Sequence, residues 1–217
     1  MIAAAIRRPR AEALCRRCRW LAEPVRWRGD SRIVGAAATR RTMTSSPSEA
    51  AHTAIRFATA ADVPTILHFI RSLARYEKLE HEVVVDEARL HATLFGARPA
   101  AEILLASHGG GVVGFALFFT NYSTFLGKAG IYLEDLFVEP AARGRGVGLA
   151  LMSALAKIAV ERDYGRFEWA VLDWNTPALE FYRSLGAQPQ SEWTVQRVVG
   201  EPLVALAKRW SGTITPA

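Results

Sequence analysis

The 217-residue chain is half hydrophobic and 22% charged, with a formal net charge of +6. That balance supports one packed domain with an appendage and excludes a globally disordered chain. No apolar run approaches the roughly 18 residues that span a bilayer as a helix; the best candidate, Val147 to Ala156, ends at Lys157 and reads as a core-facing helix.

The charge is concentrated at the start of the chain. Residues 1–42 hold eleven arginines against Glu12, Glu23 and Asp30, a charge of +8, so residues 43–217 carry −2. The globular part therefore has no basic footprint for nucleic acid. Cys15 and Cys18, the two cysteines of the chain, also lie here. Cys-x-x-Cys is half of a zinc ligand set, and no second Cys pair or His-x-x-x-His completes it, so no metal site is expected. The cysteine-free remainder fits a reducing compartment, and a cytoplasmic location is expected. The first 42 residues lack hydrophobic periodicity and the central apolar region, about 7–15 residues long, of a secretory signal. They read as an Arg-rich transit peptide or, preferably, as residues upstream of a true start at Met43, since Thr44-Ser45-Ser46-Pro47-Ser48 has the composition of a disordered N-terminus. The expected organisation is an extension over 1–53, one domain over 54–210 and a tail over 211–217.

Ile55-Arg56-Phe57 reads as a first strand. Asp62 is placed to cap a helix with Pro64 in its first turn and Ile66, Ile70, Leu73 and Glu77 at helical spacing. Asp86 to Phe95 reads as a second helix, stopped by Gly96 and Pro99. Glu102 to Ser107 and Val112 to Thr120, joined by Gly109-Gly110-Gly111, read as a hairpin. Ile131 to Val138 is a fourth strand, closed by Glu139-Pro140. A helix follows, with Val147, Leu151, Leu155 and Ile158 on one face. Phe167 to Leu172 is a fifth strand. Asn175 caps a further helix with Pro177 near its start and Gly186 as its stop. Thr194 to Val199 and Leu203 to Ala207 read as a closing hairpin. The expected order is β-α-α-β-β-β-α-β-α-β-β, with no internal repeat and no second domain.

Between the fourth strand and its helix lies Arg143-Gly144-Arg145-Gly146-Val147-Gly148. A strand, a glycine-rich turn and a helix N-terminus form an anion site, because unpaired N–H groups and the helix dipole point at the same place. Arginines add charge-assisted bonds to phosphate. Neither Gly-x-x-x-x-Gly-Lys-Ser/Thr nor Gly-x-Gly-x-x-Gly is present, since Leu151 stands where the third glycine of the latter belongs. Arg-x-x-Gly-x-Gly resembles the acetyl-CoA pyrophosphate loop of the GNAT superfamily. Tyr132 to Val138 before it, and Asn175 to Tyr182 with Leu185-Gly186-Ala187 after it, resemble the flanking segments of that superfamily. They look most like the diamine (spermidine/spermine) and thialysine acetyltransferases, as do Ala60-Ala61-Asp62, Leu73 to Glu77, Gly114-Phe115-Ala116 and Glu192-Trp193. The resemblance covers roughly residues 54–210.

The resemblance implies an α/β (α+β) GNAT fold, with a mixed, mostly antiparallel central sheet of 6–7 strands flanked by about four helices. It implies an acetyl-CoA-dependent N-acetyltransferase that acts on a small cationic amine by direct transfer, without a metal, as a homodimer, and without nucleic acid or membrane as partner. Tyr182 is implied as the acid that protonates the CoA sulfur, a phenol being a reasonable donor to a thiolate. Glu134 is the candidate base, directly or through water. Asp135 adjoins it and, in a regular strand, points to the opposite face; both attract a cation. Leu136, Phe137 and Val138 are implied as the edge that pairs with the pantetheine arm. Arg143, Gly144, Arg145, Gly146, Val147 and Gly148 are implied to hold the pyrophosphate, with Asn175 and Pro177 flanking the rest of the cofactor. Tyr76, Glu77, Glu192 and Trp193 resemble positions that contact the amine, and carboxylates with an aromatic face suit a string of cations. Alternatives are acetylation of an amino acid, a protein N-terminus or a xenobiotic amine, and a non-catalytic CoA-binding module.

Overall fold

The computed structural model describes residues 52–215, so the Arg-rich extension, Cys15, Cys18 and the alternative start at Met43 lie outside the described residues. In chain order the elements are β1 (Ala54–Phe57), α1 (Val63–Glu77), α2 (Glu87–Leu94), β2 (Glu102–His108), β3 (Gly111–Ser123), β4 (Lys128–Val138), α3 (Val147–Glu161), β5 (Phe167–Trp169), α4 (Thr176–Ser184) and α5 (Gly200–Ala207). One five-stranded sheet runs β1-β2-β3-β4-β5. Its pairs are antiparallel except β4 with β5, which are parallel and therefore joined by a helical crossover, α3.

The sheet separates two apolar layers. On one face α3 packs Val147, Leu151 and Leu155 against Leu104, Ala116, Phe118, Ile131 and Leu133. On the other, α1 and α2 pack Ile66, Phe69 and Leu90 against Ile103, Leu105, Phe115 and Phe137. Helix α1 forms because its apolar residues recur every three or four positions and Pro64 sits in its first turn. It ends at Lys78, in the left-handed region at φ 63°. The carboxylate of Asp62 does not cap α1 as the sequence suggests. It turns back to accept from Thr59 N and Thr59 Oγ1, and pairs with Arg56 at 2.7 Å, because Ala60–Asp62 form a 3-10 turn ahead of the helix.

The β3–β4 register contains the feature that builds the site. Leu117 faces Asp135 and Phe118 faces Leu133, so Glu134 is an extra residue with no partner on β3. A bulge of this kind breaks the alternation of side chains. Before it, Ile131 and Leu133 face α3; after it, Leu136 and Val138 face α3 while Phe137 faces α1.

Further expectations are corrected. The closing hairpin is absent: Thr194–Val199 is not in a strand, and Gly200–Ala207 is helix α5. Pro202 has no N–H for a ladder yet is accommodated in a first turn, and the Leu/Ala-rich run after it favours helix. Every residue of α5 is exposed. The described sheet therefore has five strands rather than 6–7, and five α-helices rather than about four. The fold class remains α+β around a mostly antiparallel sheet. Among the described residues no helix is long and apolar enough to cross a membrane.

Candidate active site

After β4 the chain makes a 3-10 turn at Pro140–Ala142 and enters the glycine loop. Gly144 and Gly146 stand at φ 73° and 80°, a region that L side chains rarely occupy, and Gly146 is the N-cap of α3. The first turn of α3 leaves backbone N–H groups without intrahelical acceptors, so an anion is favoured there. Val147, buried at 1% exposure, anchors this turn in the core. Arg143 donates from Nε to the Val138 carbonyl at 2.9 Å, and its guanidinium lies 4.9 Å from the Tyr76 ring centre and 5.6 Å from that of Phe137.

β5 accompanies β4 only from Ile131 to Leu133. Beyond that the two diverge, and Glu134–Val138 have no strand partner on the β5 side. The wedge opens into a cavity of about 560 Å³. One wall is Glu134, Asp135, Leu136, Phe137 and Val138, with Arg143, Gly144, Gly146, Val147 and Gly148 at the anion end. The facing wall carries Asn175, Pro177 and Tyr182, and α1 contributes Tyr76 and Glu77. A strand edge with free amides, leading to a helix N-terminus and an arginine, fits an extended amide-bearing arm that ends in phosphates.

The other end of the cavity is acidic. The bulge turns Glu134 and Asp135 to the same side, so Asp135 does not point away from its neighbour as a regular strand would require; both face α1, which bears Glu77. Asp135 has its carboxyl pushed up to about 6, chiefly by burial and then by Glu134 and Glu77. Burial also raises Glu77. Tyr182 packs on the α3 side, 5.0 Å from the ring of Trp169 and 5.4 Å from that of Phe181. Its phenol is pushed up to about 12, first by burial and then by the charge of Glu77. It therefore stays protonated at every ordinary pH. Carboxylates and phenol thus reach the wedge from opposite sides of the sheet.

Tyr76 joins the two walls. Its hydroxyl donates to Asn175 Oδ1 at 3.0 Å, and its ring lies under Arg143 and 5.9 Å from Trp174. Asn175 Oδ1 also accepts from Ala178 N, so the cap of α4 and the contact to α1 share one atom. Arg145, Glu192 and Trp193 do not line the cavity; all three are exposed, Trp193 at 75% in the segment after α4. Sequence reasoning missed Trp169 and Phe181, which wall the cavity, and Trp174, which holds Tyr76. Trp174, in the turn directly before the cap Asn175, was the one with a local signal.

The model of the acetyltransferase (GNAT) family matches residues 67–187. A thialysine N-epsilon-acetyltransferase from Mus musculus is 41% identical over 73% of this chain and 99% of its own length. An L-ornithine N5-acetyltransferase from Arabidopsis thaliana is 35% identical over 71% of this chain and 87% of its own. Among solved structures, an integron cassette protein of V. cholerae aligns with a TM-score of 0.61 and 29% identity, over 72% of this chain and 98% of that one. With the matched segment running from α1 to the end of α4 and so enclosing the whole wedge, the chain belongs to the GNAT acetyltransferase family and is an N-acetyltransferase.

Proposed function

We propose that the chain transfers the acetyl group of acetyl-CoA to a primary amine of a small cationic substrate, a diamine, polyamine or thialysine-like compound, by direct attack in a ternary complex. The observation that carries this reading is the polarity of the cavity, with an anion-seeking helix N-terminus and Arg143 at one end and Glu77, Glu134 and Asp135 at the other. A substrate with one negative and one positive partner is accommodated by that arrangement without an unpaired charge. The similarity to enzymes named for thialysine and L-ornithine supports a substrate with more than one amine.

In this reading the amine nitrogen attacks the thioester carbonyl, the C–S bond breaks with its electron pair going to sulfur, and Tyr182 donates to the sulfur. A carboxylate of the Glu134–Asp135 pair takes the proton that nitrogen releases. Leu136 to Val138 present the backbone edge to the pantetheine arm, and Gly144 to Gly148 with Arg143 take the pyrophosphate. The exposed apolar residues of the C-terminal segment, among them Trp193, Leu203 and Trp210, support a homodimer, and a cysteine-free run over 43–217 supports work in the cytoplasm.

The test is CoA thiol release by the full chain with acetyl-CoA and a panel of spermidine, putrescine, thialysine, ornithine, lysine and a peptide N-terminus. Release with the multiply charged amines, well above that with the peptide, is expected. Release with the peptide alone overturns the substrate class. No release with any amine, despite CoA binding, overturns the reading in favour of a binding module.

A further inference from the structure

We propose that Trp169 sets the length of the acyl group that the enzyme transfers, by walling the reacting end of the wedge off from an apolar hollow behind it. The proposal rests on the acetyl-transfer reading above and specifies the acyl donor.

The wedge has a closed vertex. β4 and β5 pair at Ile131–Phe167, Tyr132–Glu168 and Leu133–Trp169, and they separate beyond that last pair. An acyl-CoA arm held by its phosphates at Gly144–Gly148 and laid along Leu136–Val138 runs toward this vertex, so its acyl end comes to Leu133 and Trp169. Leu133 is buried at 2% exposure, and the sheet is sealed on its side. Trp169 faces the same α3 layer but is only half-buried. Its ring lies 4.9 Å from that of Phe167 and 5.0 Å from that of Tyr182, the phenol that serves the sulfur in the proposed reaction. A thioester that meets Tyr182 is therefore next to the indole.

Behind the indole is a second cavity, of about 230 Å³. It is bounded by Leu149, Met152, Ala156, Phe167 and Leu185, with Ser153 as its one hydroxyl-bearing side chain. Trp169 and Leu149 line both cavities. Leu149 lies in the first turn of α3, at the phosphate end, so Trp169 is the part of the shared wall that stands at the vertex. An apolar hollow beside the reacting carbon suits a saturated chain, whose methylenes gain by leaving water and strand no polar group. The indole, packed between the rings of Phe167 and Tyr182, has no free volume in which to turn aside. It admits a methyl group and stops a longer chain short of the hollow.

The test uses acetyl-, butyryl- and hexanoyl-CoA on the wild-type full chain, on Trp169→Leu, on Trp169→Phe, on Ala156→Phe and on Trp169→Leu combined with Ala156→Phe. kcat/KM is measured with the amine that responds best, and the dissociation constant of each acyl-CoA is measured without amine. The wild type is expected to prefer acetyl to butyryl by about tenfold or more in kcat/KM. Trp169→Leu is expected to raise butyryl relative to acetyl by about tenfold or more in both readouts, since each methylene that enters an apolar site strengthens binding about fourfold. Comparing two donors on one variant cancels any loss of folded protein and any displacement of Tyr182. Trp169→Phe keeps a ring against Tyr182 and is expected to shift the ratio the same way by less; it carries the test if Trp169→Leu does not fold. Ala156→Phe fills the hollow and is expected to reverse the gain of Trp169→Leu, while alone it leaves the acetyl rate unchanged. A wild type that takes butyryl as readily as acetyl overturns the proposal, as does a wild-type ratio in both Trp169 variants. A gain that survives Ala156→Phe also overturns it, because the chain then does not enter the hollow. A wild type that transfers no acyl group to any amine removes the acetyl-transfer reading, and the binding ratios alone then decide the role of Trp169.

Discussion

Replacing Tyr182 by Phe deletes one oxygen from the wedge and leaves the ring against Trp169 and Phe181. An alkyl thiol titrates near 8.5, and the Tyr182 phenol is raised to about 12. Complete transfer of its proton to the thiolate is thus uphill by roughly 5 kcal/mol. In the proposed reaction Tyr182 therefore serves mainly as a hydrogen-bond donor that strengthens as charge collects on sulfur, and loss of such a donor is expected to lower kcat by about 10²–10³-fold. The acyl-CoA KM changes little, because the ground-state thioester bears no charge to stabilise. Initial rates of thiol release at saturating amine, followed from about pH 7 to pH 10, measure both quantities. The same raised phenol predicts that wild-type kcat does not turn down near the ordinary tyrosine value of about 10. A variant that keeps more than about a third of kcat refutes the donor role. A wild-type downturn near 10 that the variant lacks refutes the buried environment assigned to the phenol.

Gly146→Ala tests the loop. A Cβ there meets nothing within 4 Å, but φ stays at 80°, so the penalty is backbone strain of about 1 kcal/mol. The expected result is a lower denaturation midpoint and a higher acyl-CoA KM with kcat at saturation retained; unchanged stability and KM count against the loop's role. Asp62→Asn tests the pair with Arg56. Arg56 and the Thr59 donors hold the Asp62 carboxyl well below the usual carboxylate range, so its contribution is present above the unfolded value near 4 and is lost as pH falls through the folded one. With Arg56 half exposed, about 1 kcal/mol is expected at neutral pH. Urea midpoints of the two proteins should differ at pH 7 and converge in acid; a constant gap refutes the linkage.

The parts of the molecule that were legible in the sequence are those specified by neighbouring residues. The glycine loop with its helix, α1 with Pro64, and α4 with its Asn175 cap all carry their signals within about one turn of chain. The parts that were not legible depend on partners far away. The bulge at Glu134 exists only relative to β3, so regular alternation read from the sequence puts Asp135 on the wrong face. Tyr76 and Asn175 are separated by 99 positions, and nothing local to either announces their hydrogen bond. Leu203-Val204-Ala205-Leu206-Ala207 is apolar throughout and fits a buried strand as well as a helix; Pro202, and the absence of a pairing strand among the described residues, decide for the helix. The sequence pattern carries β5 to Leu172, but the chain leaves the sheet after Trp169, and that early departure is what opens the cavity.

The extra residue in β4 has a consequence for how the site tolerates change. It acts as a half-period phase shift in a strand whose two halves are committed to different layers, Leu133 to the α3 layer and Phe137 to the α1 layer. Deleting one residue there would restore a uniform alternation. Regular pairing with every residue kept would instead drive Phe137 toward α3 and Leu136 toward α1, mispacking both layers at once. The orientation of the carboxylates is therefore enforced by apolar volume on either side of the sheet, far more strongly than by any bond the carboxylates themselves make. Drift in sequence can exchange one acid for another at these two positions while the direction in which they point is preserved by the core.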